Sequence, residues 1–232
     1  MSQVMEGTKT LVEYSVKDGI ATIAFNDPPA NTYTYEMMQQ LDAAILKARM
    51  DDDAHVIVLR GAGEKFFSAG ANIAMLNSVT PRFKFFFCLH ANETLNRLEQ
   101  TPKLVIAAIN GHCVGGGLEI AMAADIRIAK KDSGKIGLPE VNLGVLAGTG
   151  GTQRLCRLVG KSQSIELMVT GRTFTFEEAL DMKLINEIYD KDEYWDNVYA
   201  YAKQFCPPNK ASKAVGLIKR SVQSGSEMAF QD

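Results

Sequence analysis

Apolar and polar positions alternate twice near the start of the chain, over Leu11–Val16 and Ile20–Phe25, around Lys17-Asp18-Gly19. Alternation predicts half-buried strands, and Asp-Gly between them predicts a hairpin. Asn26-Asp27-Pro28-Pro29-Ala30-Asn31 reads as a loop, because Pro-Pro suits neither a sheet interior nor a helix interior. The spacing turns helical from about Thr34, with Met37, Met38, Leu41, Ile45 and Leu46 recurring on one face until the solvated run Asp51-Asp52-Asp53. His55–Arg60 and Leu104–Ile109 are short apolar runs of buried-strand type. Between them Pro81–Gln100 is the longest helix candidate, with Pro81 suited to a first turn. Its cluster Phe83, Phe85, Phe86 and Phe87 reads as core or subunit interface. Further on, the pattern predicts a helix over Leu118–Ala124, a strand over Asp125–Ala129 and an extended segment over Ile136–Val141. Helices then open at Thr152 and cover Lys161–Thr170 and Thr175–Lys183, the last with a capping-box start. A strand over Leu184–Tyr189 and helices over Trp195–Phe205 and Asn209–Ser224 complete the chain. Strands first, strand and helix alternating in the middle, and helices last describe an α/β core with a helical C-terminal part. No repeat of fixed period is visible.

Three stretches hold more glycine or small residues than their elements need. Gly115-Gly116-Gly117 opens the helix over Leu118–Ala124, where glycine is unfavourable in conformational entropy. Close approach of a ligand to the backbone explains that choice, since the first amides of a helix point outward at its positive end. Phe66–Asn72 carries small residues in an expected loop; a tight turn and a ligand contact would both explain them. Gly144–Gly151 is a second glycine-dense loop. Glu119 lies three residues after Gly116 among Leu118, Ile120, Ala121 and Met122, and Glu140 follows Pro139 in an equally apolar setting. Burial raises a carboxylate's pKa toward the range useful for proton transfer near neutrality. Two such acids beside a cluster of amide donors suit proton transfer next to an activated carbonyl, with the amides holding the enolate oxygen. His112 reads as a structural, hydrogen-bonded histidine, and Arg154 as a tie between helix ends or a subunit contact.

Composition narrows the classes. Of 232 residues, 46% are hydrophobic and 22% charged, as in ordinary soluble globular chains, and the net charge of −2 draws the protein to neither nucleic acid nor anionic lipid. Four scattered cysteines (Cys88, Cys113, Cys156 and Cys206) show no metal-ligand spacing and point to a reducing compartment, the cytoplasm. No apolar run reaches the roughly 20 residues that span a membrane, and Met1–Tyr14 lacks a signal-peptide core. Neither GxxxxGK[ST], nor GxGxxG, nor GxSxG occurs.

NGHCVGGGLEIAMAADIRIA followed by GLPEVNLGVLAGTGGTQRL, together with FFSAGANI, TGRTFTFEEALDMKLINEI and NDPPANTYTYEMMQQL, resembles the crotonase, or enoyl-CoA hydratase/isomerase, superfamily. The resemblance spans nearly the whole chain. It implies a spiral of ββα repeats over residues 1–195 and a helical trimerisation part over 196–232, shortened here because typical members continue past the position of Asp232. It places an acyl-CoA thioester carbonyl between the amides of Ala71 and Gly116, and a water between Glu119 and Glu140. CoA and the acyl group would run along Asn26, Pro29, Ala30 and Asn31, then Ser68, Ala69, Gly70, Asn72 and Ile73, with Gly115, Gly117, Pro139, Leu143 and Gly148 completing the site. Asn72 stands where the family commonly has Asp, and Ala74 where a basic residue is frequent. Family members that only isomerise a double bond rely on the glutamate matching Glu140, so the presence of both acids favours a hydratase adding water syn to a trans-2-enoyl-CoA. The alternatives are Δ3-Δ2 isomerisation, dehydration, ring hydrolysis, or a weakly catalytic acyl-CoA binder. No metal is implied, nor any cofactor beyond the CoA of the substrate; the implied assembly is a homotrimer or a dimer of trimers.

Overall fold

In a computed structural model that describes residues 9–227, the two alternating segments are strands β1 (Val12–Lys17) and β2 (Ile20–Phe25). They pair antiparallel from Val12 opposite Phe25 to Lys17 opposite Ile20, around a turn in which Asp18 and Gly19 take φ of 53° and 84°. Positive φ at both central residues matches the twist of the flanking strands. β3 (Val56–Gly61), β5 (Leu104–Ile109), β7 (Ile126–Lys130) and β9 (Glu187–Tyr189) extend this hairpin into a six-stranded sheet of order β1-β2-β3-β5-β7-β9, parallel from β2 onward. β4 (Phe66–Ser68), β6 (His112–Val114) and β8 (Ile136–Gly137) form a second, parallel sheet.

One rule generates the middle of the chain. A strand of the large sheet is followed by a strand of the small sheet and then by helix. β3 and β4 lead to α2 (Ile73–Ser78) and α3 (Pro81–Glu99); β5 and β6 lead to α4 (Gly116–Met122); β7 and β8 lead to a 3₁₀ turn at Glu140–Leu143 and α5 (Gly151–Val159). The connecting helices differ greatly in length, so this ββα repeat leaves no fixed period in the sequence. Two expectations are corrected. Phe66–Ser68 is a strand rather than part of a loop, and His112–Val114, for which the pattern predicts no element, is its strand neighbour; three residues are too few to show a period. Glu140 lies in the 3₁₀ turn rather than in an extended segment, because Pro139 has already left the strand at φ −86°, ψ 12°.

The core covers both faces of the large sheet. On one face, α1 (Tyr35–Met50), α3 and α4 bury Met38, Leu41, Ile45, Leu95, Leu98 and Leu118 against Ile23, Ile57, Leu59, Val105 and Ala107. On the other, α8 (Tyr194–Lys203) sets Tyr194, Val198 and Ala202 on Val56, Val58 and Ile106. Each fully buried aliphatic side chain contributes about 1.5–3 kcal/mol. The boundary expected at residue 195 thus falls inside α8, a helix packed on the sheet. α6 (Lys161–Thr170) and α7 (Phe176–Asp181) follow α5, α7 with its capping box formed at Thr175 and Glu178. In α9 (Ser212–Glu227), Lys219 is buried and pairs with Asp125 at 2.8 Å. Residues 228–232 of the expected trimerisation part, and residues 1–8, lie outside the described residues.

Candidate active site

The segment after β2 builds the first wall. Tyr33 makes a parallel bridge with Ala71: its amide donates to the Gly70 carbonyl and its carbonyl accepts from the Asn72 amide, both at 2.9 Å. In that pattern the Ala71 N–H points away from Tyr33. Further bonds lock the loop. Ser68 Oγ donates to the Asn31 carbonyl (2.8 Å) and accepts from the Gly70 amide (3.1 Å), and the Ala69 amide donates to the Ala30 carbonyl (2.9 Å). Asn31 is completely buried. Its side chain donates to the Ala62 and Phe66 carbonyls, both at 3.0 Å, and accepts from the Asp27 amide at 3.0 Å. Ala30, Asn31, Ser68, Ala69 and Gly70 are therefore brought together, but the polar groups of Asn31 and Ser68 are engaged in holding the loop.

This loop abuts the start of α4. Gly70 has φ of 86°, and a Cβ there would come within 2.7 Å of the Gly116 nitrogen. At Gly116 a Cβ would fall on the Tyr33 hydroxyl, and at Gly117 on the Ser68 carbonyl. A Cβ on Gly115 would lie 3.1 Å from Glu140 Oε1. The three glycines make room for Tyr33, Ser68 and Glu140 at one helix end. Among the described residues, neither the Ala71 nor the Gly116 amide donates a hydrogen bond.

Both acids reach this end. Glu119, one turn into α4, is 2% exposed, and its Oε1 accepts from the amides of Thr149 (2.7 Å) and Gly151 (2.8 Å). Burial pushes its pKa up, while these two amides, the Thr149 side chain and Arg154 pull against the shift; the net direction is upward. Glu140 is pushed up to about 7, by burial first and then by the negative charge of Glu119. Its Oε2 is buried without a hydrogen-bond partner. The loop facing Glu119 is tied to α3: Asn92 donates to the Gly148 carbonyl (2.8 Å), and Arg154 joins the Thr149 carbonyl (3.3 Å) to Asn96 (2.9 Å) and Glu99 (2.8 Å). Arg154 is a structural tie. His112 also serves structure, its Nδ1 accepting from the Lys135 amide at 3.0 Å. Two free amides, one carboxylate held as an acceptor and one with a pKa near neutrality can stabilise a developing oxyanion and move protons beside it.

The family model described as enoyl-CoA hydratase/isomerase matches residues 15–231. The chain belongs to this family. It is 35% identical over 224 residues to the short-chain-enoyl-CoA hydratase of Clostridium acetobutylicum, covering 96% of this chain and 84% of that protein. It is 38% identical to the probable enoyl-CoA hydratase of Bacillus subtilis over 78% of this chain and 70% of the relative. A solved structure described as "Enoyl-CoA hydrates" from Geobacillus kaustophilus HTA426 superposes with a TM-score of 0.92 at 44% identity, covering 96% of this chain and 83% of that one.

In this family member the other expected contact residues sit nearer the surface. Asn26 bonds to Glu13 at 2.6 Å, Pro29 is exposed, and Asn72 caps α2 by accepting from the Met75 amide at 2.9 Å. Ile73 is 52% exposed and Leu143 61%, while Gly148 is exposed and offers its carbonyl to Asn92. A cavity of about 800 Å³ lies elsewhere, between β1, β2 and α8, with neither glutamate among its lining residues. No helix among the described residues is long and apolar enough to cross a membrane. Sequence reasoning missed Tyr33 and Thr149 as site residues. Thr149 stands inside the glycine-dense loop already marked, but a lone tyrosine carries no signal until the fold sets its hydroxyl on Gly116.

Proposed function

We propose that this chain is an enoyl-CoA hydratase that adds water to a trans-2-enoyl-CoA to give a 3-hydroxyacyl-CoA. The observation that carries the reading is the unequal support of the two glutamates beside the free amides of Ala71 and Gly116. Glu119 accepts two amide donors and suits the base; Glu140 has an unpartnered buried oxygen and a pKa near 7, and suits the acid. The thioester oxygen sits between the Ala71 and Gly116 amides. Glu119 takes one proton from water as its oxygen bonds to C3, the C2–C3 π pair moves toward the thioester, and Glu140 delivers a proton to C2. Both additions come from the side on which the two acids stand, so the outcome is syn. An oxyanion donor of this kind is worth about 10²–10³ in rate. The reaction is redox-neutral and calls for no cofactor beyond the CoA of the substrate. Leu217, Ile218 and Val222 of α9, exposed at 64–66%, fit a subunit contact of a trimer, and four free cysteines fit the reducing cytoplasm.

The test is hydration of short, medium and branched enoyl-CoAs by wild type, Glu119→Gln and Glu140→Gln. Both variants lose at least about 100-fold in kcat. Full activity in Glu119→Gln removes the hydratase mechanism and leaves double-bond isomerisation. Acyl-CoA binding by the wild type without turnover of any thioester leaves a binder.

A further inference from the structure

We propose that the groove between the β1–β2 hairpin and α8 binds a small carboxylic acid with an apolar body, anchored on Arg60. This site is independent of the hydratase reading, because it lies on the face of the large sheet opposite α4 and Glu119. Arg60 belongs to β3, where it pairs with Ala24 of β2 on one side and Ala108 of β5 on the other. Val56 and Val58, which alternation puts on the same face, are completely buried. An arginine in such a place is costly unless its charge is met. Its guanidinium lies on the Trp195 ring, with Cζ 3.8 Å from the centroid. Among the described residues it makes no hydrogen bond and no ion pair, and its Nε is buried without a partner. Arg60 lines the groove and Trp195 does not, so the ring backs the guanidinium while its donors border the groove.

The chemistry of the lining selects the ligand. A guanidinium carries five donors in a fixed fork that meets a carboxylate or a phosphate through two parallel hydrogen bonds. The other charged residues of the lining are Lys17 and Lys203, against Glu13, Asp18 and Asp196. With Arg60 the charges balance, three positive and three negative, so a single negative charge suits the groove better than a dianion. Two of these groups are already engaged: Lys203 Nζ donates to the Asp18 carbonyl at 2.7 Å, and Glu13 accepts from Asn26 at 2.6 Å. Register sets Glu13 opposite Ala24 and Ala24 opposite Arg60, so the small Ala24 leaves a gap of two strand spacings, about 10 Å, between the acid's strand and the arginine's. Buried Ile20 and Ala24 line the same groove, with Tyr199 on the α8 side, its hydroxyl 3.0 Å from Thr22 Oγ1. These surfaces take an apolar body, and a volume of about 800 Å³ is in the range of small-molecule sites.

Trp195 is the only tryptophan of the chain, so its fluorescence reports on the guanidinium stacked against it. Hexanoate is the probe, titrated by fluorescence and by calorimetry beside hexanamide, acetate and inorganic phosphate. The expected result is saturable binding of hexanoate with a Kd of about 1 mM, modest because the ligand has few atoms. Hexanamide lacks the charge, acetate lacks the body and phosphate has neither the shape nor the single charge; each binds at least about tenfold more weakly. Arg60→Gln weakens hexanoate at least about tenfold, the scale of a hydrogen bond to a charged group. Ala24→Leu keeps Arg60 and fills the space beside it, and weakens hexanoate likewise with the circular dichroism unchanged. No saturable change up to about 10 mM hexanoate overturns the site. Equal binding of hexanamide or phosphate by the wild type overturns it too, whether or not either variant folds, as does hexanoate binding that Arg60→Gln leaves intact. Sedimentation that shows wild-type copies associating, with association lost in Arg60→Gln and hexanoate without effect, makes the groove a contact with a second copy and also overturns the proposal.

Discussion

Every residue of α4 from Gly116 to Met122 is buried, whereas the 3₁₀ turn that carries Glu140 exposes Val141 at 42% and Leu143 at 61%. Glu119 hangs from the enclosed helix and meets two amides of a loop that Asn92 and Arg154 bind to α3. Glu140 hangs from the open turn, and one of its oxygens is buried without a donor. The residue type is the same and the charge is the same. What differs is the number of preorganised donors and the rigidity of the support: burial raises both carboxyls, and at Glu119 the amides of Thr149 and Gly151 pull against that rise. The opposition between the two supports can be broken at several points.

The largest effect is expected where the enclosed support is disturbed without touching either acid. A Cβ on Gly151 would lie 2.8 Å from Glu119 Oε1 and 2.8 Å from the Ala147 Cβ. Gly151→Ala should push the carboxylate off its two amides and lower kcat about 100-fold, as expected for a displacement on the order of 1 Å at a reacting group. Steady-state kinetics with the circular dichroism unchanged is the check; wild-type kcat would show that the amide cradle does not govern Glu119.

A smaller effect belongs to the open support and appears in stability rather than rate. The pKa of Glu140 is raised in the fold, so its protonation stabilises the native state. That contribution is complete below about 4.5 and is lost as pH rises through about 7. Glu140→Gln removes the loss. Measured by thermal melts at pH 5 and pH 8, the variant should gain on the wild type toward pH 8 by about 1 kcal/mol, less than full burial would give because the residue is only partly buried. An unchanged difference between the two pH values would show that the environment of Glu140 is more polar than its burial implies. The smallest effect lies at the rim: Leu143→Ser, far out on the exposed turn, should change stability by no more than about 0.5 kcal/mol. A larger loss in the isolated chain would mean that Leu143 packs in solution.

Much of this was legible beforehand, for identifiable reasons. The hairpin at Asp18-Gly19, the buried run Leu104–Ile109 and the helices with apolar faces follow from backbone preference and side-chain period, which act locally. So does the glycine run at Gly115–Gly117, whose excess over what a helix start needs marked the place where two loops and a carboxylate meet. The three-residue strands Phe66–Ser68 and His112–Val114 were not legible, because pairing across a parallel sheet leaves no trace in so short a segment. The family resemblance sets Asn31 along CoA; the structure adds that its side chain is a buried clamp on three carbonyls, at Ala62, Phe66 and Phe67, a role set by residues about 30 positions away in the chain.

By itself the sequence determined the kinds of element, the family, and the positions of two acids and a donor-rich helix start, since each rests on residue chemistry and near-neighbour spacing. Only the tertiary structure decided how those pieces act on one another. It set the Gly70 turn against Gly116, put the Tyr33 hydroxyl in the space a side chain at Gly116 would fill, and brought the amides of Thr149 and Gly151 to Glu119 from 30 residues or more downstream. Desolvation and hydrogen bonding depend on what surrounds a group in space, so the difference between Glu119 and Glu140 came into being with the packing.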